Sequence, residues 1–424
     1  MRPKQVPGFR SCLRAGGLGI LVSGMIASDP HQGGATWAVL QYLIGLRRLG
    51  HDVYFVEPIA RNKRQPAEAS LSRSVNAAYF EAVMEQFGFE RRSAVLQPET
   101  GETIGLPYES LRTVASRADV LINISGMLAD PALIEGIPIR VYLDLDPAFN
   151  QLWHAVEGID MRFDGHTHFV TVGQAIGSPG CTVPTCGRRW IQTLQPVVLS
   201  EWPMTRGDSQ AVWTTVGHWR GYGSIQYRHV FYGQKAHSLR RFMELPGRTR
   251  GPFQLALSID PAEVRDIEAL GANGWDLIDP ATVAGTPSRY RQFIQRSKGE
   301  IGVAKSGYVE SQCGWFSDRS ACYLASGRPV VAQDTGFGRF LPTSEGLFAF
   351  NTVEDARAAI EAVSLDYDRH CRRARDIAEE YFSAELVLGR LLNSIGATND
   401  TRSPHRSSSD AAPGAPTTPR GPAG

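Results

Sequence analysis

The chain has no excess charge of either sign: 44 lysines and arginines face 43 aspartates and glutamates, a formal net charge of +1 at pH 7. That balance gives no electrostatic case for a nucleic-acid partner or an anionic membrane, although a local basic cluster can still hold a phosphate. Cysteine is scarce. Cys12, Cys181, Cys186, Cys313, Cys322 and Cys371 match neither paired CxxC zinc spacing nor a disulfide-dense secreted scaffold. They read as free thiols of a cytoplasmic protein. No run of about eighteen apolar residues occurs, so no transmembrane segment is expected. No repeat of solenoid period is visible.

What is present is enough chain for two domains, or three. Arg2, Lys4, Arg10 and Arg14 precede an apolar run from Leu18 to Ala27. This could imitate a signal peptide cut near Ala27-Ser28. The glycine turn and amphipathic helix that follow favour a flexible leader over 1–17 and then a buried strand. Trp37, Leu40, Leu43, Ile44, Leu46 and Leu49 recur at helical spacing until Gly50, and His51 to Glu57 reads as a second strand. Strand–helix–strand requires a parallel sheet. Further strands are expected at 118–124, 137–145, 168–173 and 196–199, with a long loop over 178–196.

The second half alternates more clearly, with strands near 253–258, 275–278, 300–304, 329–332 and 347–350 and helices between them. Helices at 353–363, 367–381 and 384–394 finish it, with Thr352 and Ser383 as N-caps. The expected organisation is an N-terminal domain over 18–200, a hinge near 201–208 and a C-terminal domain over 201–396. Residues 397–424 are rich in Ser, Pro, Ala, Thr, Gly and Arg and read as a disordered tail.

Candidate chemistry falls at strand ends. Gly33 and Gly34, between a strand and a helix, would let backbone approach a ligand. Lys305, Ser306 and Gly307 follow a strand at its C-terminal end, where open α/β sheets bind ligands. Ser317, Asp318, Arg319 and Ser320 open a helix whose free amides suit a phosphate. Asp334, Thr335 and Gly336 form a polar turn that could meet sugar hydroxyls. Each also has a plainer reading, as a turn, a cap or a solvated side chain. Asp144-Leu-Asp146 resembles a DxD metal motif, but a three-residue match assigns no metal. Trp213, Trp219, Tyr222, Tyr227, Phe231 and Tyr232 cluster between the halves. They fit hinge packing or stacking on a sugar equally well.

Three segments resemble GT-B glycosyltransferases: GGATWAVLQYLIGLRRLGHDVYFVE at 33–57, FIQRSKGEIGVAKSGYV at 293–309 and CGWFSDRSACYLASGRPVVAQDTGF at 313–337. The whole is similar to bacterial proteins of glycosyltransferase family 1/4 type over about 19–395. The resemblance implies an α/β, GT-B fold of two facing Rossmann-like domains with a cleft. It places a nucleotide sugar mainly on the second domain and an acceptor on the first, with a last helix crossing back. Many such proteins carry a ribose-holding glutamate where this chain has Cys322, and an earlier glutamate is also absent; Asp318, Ser320 or Glu310 are the possible substitutes. A general base, if the reaction inverts, should come from the first domain. His166, His168, Asp144 and Asp146 are candidates, with His168 and Asp146 ranked first.

The expected activity is therefore metal-independent, hexosyltransferase-like transfer with no cofactor beyond the nucleotide-sugar substrate. A nucleotide-sugar epimerase or hydrolase, or a non-catalytic sugar- or nucleotide-binding module, are the alternatives.

Overall fold

A computed structural model describes residues 17–397. Most of the expected leader and tail, and Cys12, lie outside the described residues. The first sheet contains β1 (Gly19–Ser23), β2 (Asp52–Pro58), β3 (Ser93–Gln97), β4 (Glu102–Gly105), β5 (Val120–Ile124), β6 (Ile139–Asp144), β7 (His168–Thr171) and β8 (Trp190–Gln192). Their order is β4-β3-β2-β1-β5-β6-β7-β8, parallel except for β4 against β3. β1 is central: Ile20 pairs with Val53 on one side and Val120 on the other. β3 and β5 are buried along their whole length, the signature of a sheet covered on both faces.

After β9 (Trp213–His218) comes a two-stranded hairpin, β10 (Ile225–Tyr227) and β11 (Val230–Tyr232). The second sheet continues with β12 (Phe253–Ser258), β13 (Trp275–Ile278), β14 (Gly299–Gly302), β15 (Val330–Gln333) and β16 (Leu347–Phe350). Its order is β13-β12-β9-β14-β15-β16. In both sheets the chain winds outward one way and then restarts on the other side. This creates a switch point between β1 and β5 and another between β9 and β14, the places where such sheets bind ligands.

Three local expectations change. The central strand β9 lies inside the aromatic cluster assigned to a hinge, because Trp213 and Trp219 are core residues. β8 falls within the expected 178–196 loop. Residues 196–199 form no strand; Val197 makes a single bridge to Ser383. Thr352 caps its helix through the Asp355 amide, whereas the Ser383 hydroxyl turns to Glu385. Among the described residues no helix is long and apolar enough to cross a membrane.

The domains meet through close backbone packing. The first helix, Gly33–Arg48, lies against the helix Pro287–Arg296 of the second domain and the last helix, Ala384–Ser394. Trp37 donates from Nε1 to the Pro287 carbonyl at 2.9 Å and packs on Trp202, ring centres 5.1 Å apart. Both indoles are buried, each contributing about 2–3 kcal/mol of apolar burial. The linker is clamped as well. The buried Arg328 guanidinium donates to the Thr205 carbonyl at 3.1 Å and to the Gln295 carbonyl at 2.6 Å. Arg375 reaches the carbonyls of Trp202 and Ala325.

Gly33 makes the closest approach: a Cβ there would sit 2.4 Å from the Thr286 carbonyl oxygen and 2.6 Å from that of Ala284. Both are backbone atoms that cannot rotate away. Gly33→Ala is expected to destabilise the fold by about 2 kcal/mol. Urea denaturation checks this; an unchanged midpoint would mean that the domain contact gives way without cost.

Candidate functional site

The C-terminal edges of the two sheets face each other. From the first domain, the turn after β6 carries Asp144 and Asp146. Asp144 is fully buried and accepts from Asn150 Nδ2 at 2.7 Å, Gln151 Nε2 at 2.8 Å, Thr171 Oγ1 at 2.8 Å and the Asp146 amide at 3.0 Å. Burial pushes its carboxyl up to about 6 against those donors. With its acceptor sites filled by protein, Asp144 organises the turn. Asp146 projects into the cleft and meets the second domain. Tyr222 donates to Asp146 Oδ2 at 2.5 Å, Tyr308 donates to Oδ1, and Lys305 Nζ lies 3.4 Å away. Burial, then Asp146, holds both phenols well above their usual range, so they remain donors.

The second domain supplies cations around the β9/β14 switch point. Lys305 follows β14, its ammonium 4.0 Å from the centre of the Tyr222 ring. Lys235, just after β11, is 7% exposed. Its ammonium donates to the Val303 carbonyl and has no carboxylate partner among the described residues. Burial, reinforced by repulsion from Arg319, pushes it down to about 7. Arg319 donates from Nε to Glu300 Oε1 at 2.5 Å and from Nη1 to the Val216 carbonyl at 2.9 Å. Burial opposes its charge, but Glu300, itself fully buried, outweighs that and keeps it ionised. Beside Arg319 lies a shallow recess lined by Ser317, Ser320, Thr335, Trp315 and the ends of β14 and β15. Glu300 pairs with Arg319 and Asp318 lies beside it, while Lys235 and Lys305 have no ion-pair partner on this domain among the described residues. Asp146 answers one of them from across the cleft. Such a site can hold a doubly charged anion such as a pyrophosphate diester.

Lys305, Arg319, Ser317, Ser320 and Asp146 therefore border the cleft. The Ser317 hydroxyl makes no cap bond to its helix. Asp318 lies beside them, its carboxyl raised by burial. The remaining candidates do other work. Gly33 and Gly34 are covered by Thr286 and the Tyr290 ring, so they serve domain contact rather than ligand approach. Ser306 Oγ accepts from the Gly233 amide. A Cβ on Gly307 would meet the Phe149 ring at 2.5 Å. Asp334 accepts from the Gly336 amide, and Thr335 donates to the Trp315 carbonyl; that turn braces the loop before Ser317. His168 opens β7, three residues from its cleft end and so about 10 Å from it, where it bonds Thr167. It is remote from Asp146. His166 is held by Asn123 at 3.0 Å.

Sequence reasoning missed Lys235, Tyr308 and Glu300, and named Tyr222 only as a hinge or sugar-stacking aromatic. It also missed His218, which joins Gln32 of the first domain at 3.1 Å. The available signal was a lysine two residues after Gly233 at a helix start. The hairpin between β9 and that helix disguised the strand–turn–helix spacing. Among the described residues no group of three His, Cys, Asp or Glu side chains could hold a metal ion.

No protein-family description matches the chain, and no curated protein does. Solved structures do match. Anabaena HepE in complex with UDP and glucose aligns over 90% of this chain and 100% of its own, at 13% identity and TM-score 0.55. An alpha-glucosyltransferase in complex with UDP and a 13-mer DNA aligns over the same shares, at 13% identity and TM-score 0.56. The chain has the GT-B fold. At that identity the likeness establishes architecture, and the chemistry has to be argued from the side chains. In GT-B terms, Asp146 stands on the first domain and Lys235, Lys305 and Arg319 on the second.

If Asp146 occupies Lys305 in place of an anion, removing its charge should strengthen anion binding. Asp146→Asn is expected to bind inorganic pyrophosphate roughly fivefold more tightly, since the pair, each side chain 24% exposed, is worth about 1 kcal/mol. Calorimetric titration checks this; equal or weaker binding would contradict the competition.

Proposed function

We propose that the chain is a glycosyltransferase moving a sugar from a nucleotide-activated donor to an acceptor hydroxyl. The carrying observation is the gathering of Lys235, Lys305 and Arg319 at the β9/β14 switch point, with Lys305 answered only by Asp146 from the opposite domain and Lys235 by no carboxylate within ion-pair distance among the described residues. The HepE and alpha-glucosyltransferase structures, which hold UDP, support the same use of the cleft.

In this reading the donor diphosphate takes the place of Asp146 on Lys305. Asp146 then accepts the proton of the acceptor hydroxyl as that oxygen bonds to the anomeric carbon. The bond from that carbon to the β-phosphate oxygen breaks, and the nucleoside diphosphate leaves with the electron pair. Its growing charge is met by Lys235, Lys305 and Arg319, electrostatic stabilisation already in place before reaction. Because protein cations supply that charge, we propose that transfer is independent of metal. Tyr222 and Tyr308 stay on Asp146 and orient it.

One observation favours the non-catalytic alternative. Cys322 stands where the resemblance implies a ribose-holding glutamate, and its Sγ is engaged by Gln41 Nε2 at 3.7 Å, among buried groups. A module that binds nucleotide sugars without turnover would bind UDP-glucose yet release neither UDP nor free sugar from it.

Lys235 gives the sharper test. An anion favours the ammonium form, so binding raises its depressed pKa, and affinity is lost as pH rises through the free-protein value of about 7. UDP-glucose affinity should weaken by up to about tenfold per pH unit above that value. Lys235→Met should bind more weakly at pH 7 and show no such slope. Affinity independent of pH in the parent protein, or an identical slope in the variant, would remove Lys235 from the donor site.

A further inference from the structure

With the donor's charge answered on the second domain, one cation of the first domain remains unexplained. Arg64 lies in the segment between β2 and the helix Val75–Phe87 and is 8% exposed. Its Nε donates to the Arg61 carbonyl at 3.3 Å. Its two Nη groups have no hydrogen-bond acceptor, and the guanidinium no carboxylate partner, among the described residues. The stem is buried, but neither Nη is sealed from solvent, so the paired N–H donors of the tip are open to an anion.

The segment is built rather than loose. Asn76 accepts from the Gln65 amide at 2.7 Å and donates to the Ala27 carbonyl at 2.7 Å and the Lys63 carbonyl at 3.3 Å. One side chain thus ties the Arg64 segment to the loop after β1. Glu57 holds that same loop, accepting the amides of Ile26, Ala27 and Ser28 at 2.7, 2.7 and 2.6 Å. The loop runs on to Gln32, which meets His218 across the cleft. The Arg64 segment is therefore fastened to the loop after β1, the same loop that reaches the opposing domain at Gln32. Residues 59–74 also carry Arg61, Lys63 and Arg73, all exposed, with Glu68 in the same segment and Glu99 accepting from the Arg61 amide at 3.4 Å.

We infer that the acceptor carries a phosphate group, which Arg64 holds while Arg61 and Lys63 screen its approach. This rests on the glycosyltransferase reading and names the chemical class of its second substrate. A guanidinium recognises a phosphate through paired N–H donors, which a lysine ammonium cannot reproduce. The phosphate could belong to a soluble sugar phosphate or to a lipid headgroup.

The test is a set of binding titrations on the full chain and on Arg64→Gln and Arg64→Lys, each first shown to melt like the parent. The probes are glucose 6-phosphate, glucose, vesicles of phosphatidylcholine with and without phosphatidylglycerol, and UDP. The inference predicts saturable binding of glucose 6-phosphate, or of the phosphatidylglycerol vesicles, without binding of glucose or of the neutral vesicles. That binding should fall at least about tenfold in Arg64→Gln, fall less in Arg64→Lys, and leave UDP affinity unchanged. Which probe binds tells the soluble source from the lipid one. UDP binding with no response to either anionic probe, or equal response in Arg64→Gln, would overturn the inference and leave the donor site standing. Loss of UDP binding by the parent protein would instead overturn the reading on which it rests. Should Arg64→Gln fail to fold, Arg64→Lys with unweakened glucose 6-phosphate or vesicle binding is the overturning result.

Discussion

Everything in the cleft depends on charge that the second domain does not neutralise by itself. A buried ammonium and a largely buried guanidinium converge with Lys305 on one switch point, where Glu300 and Asp318 face Arg319 but neither lies within ion-pair distance of Lys235. Burial makes each cation expensive, and mutual repulsion adds to the expense, which is why the Lys235 amine is pushed down to about 7. Burial of this kind persists in a stable fold when something else supplies the counter-charge. Across the cleft, Asp146 does so in part. A pyrophosphate would do so more fully, and the same field would then favour its departure as a leaving group.

Geometry gives that field its target. Asp144 spends its hydrogen-bonding capacity on the turn after β6, so that Asp146 two residues later is held toward the opposing domain. The clamped linker and the Gly33 contact fix how far apart the two sheet edges stand. Arg328 and Arg375 bind linker and neighbouring carbonyls that would otherwise be buried without donors, and a methyl group at Gly33 would force backbone apart. The closeness of Asp146 to Lys305 thus follows from packing well away from both.

The fold was legible because the strongest signals are periodic: β1, the first helix and β2 show their pattern in Leu18 to Glu57, and the last third alternates without interruption. The charged rim of the second sheet was legible through Lys305 and Arg319, at strand and helix ends. Lys235 was not, since a hairpin separates it from the strand it serves, and tryptophans at 213 and 219 suggested an interface rather than a central strand. The glycine pair at 33–34 marks close approach in either reading; sequence cannot say whether a ligand or another backbone approaches. His168 failed for a different reason. A residue's place at one end of a strand or the other depends on where the strand begins, and a shift of three residues moves a side chain about 10 Å from the cleft. Arg64 gave no sign at all, because an unpaired charge is visible only once burial is known.

The most direct measurement is the structure of the protein bound to UDP. The account places the diphosphate between Lys235, Lys305 and Arg319 beside Ser317, with Lys305 released from Asp146 and the carboxylate facing open cleft. UDP bound elsewhere, or bound with the Lys305–Asp146 pair intact, would contradict it.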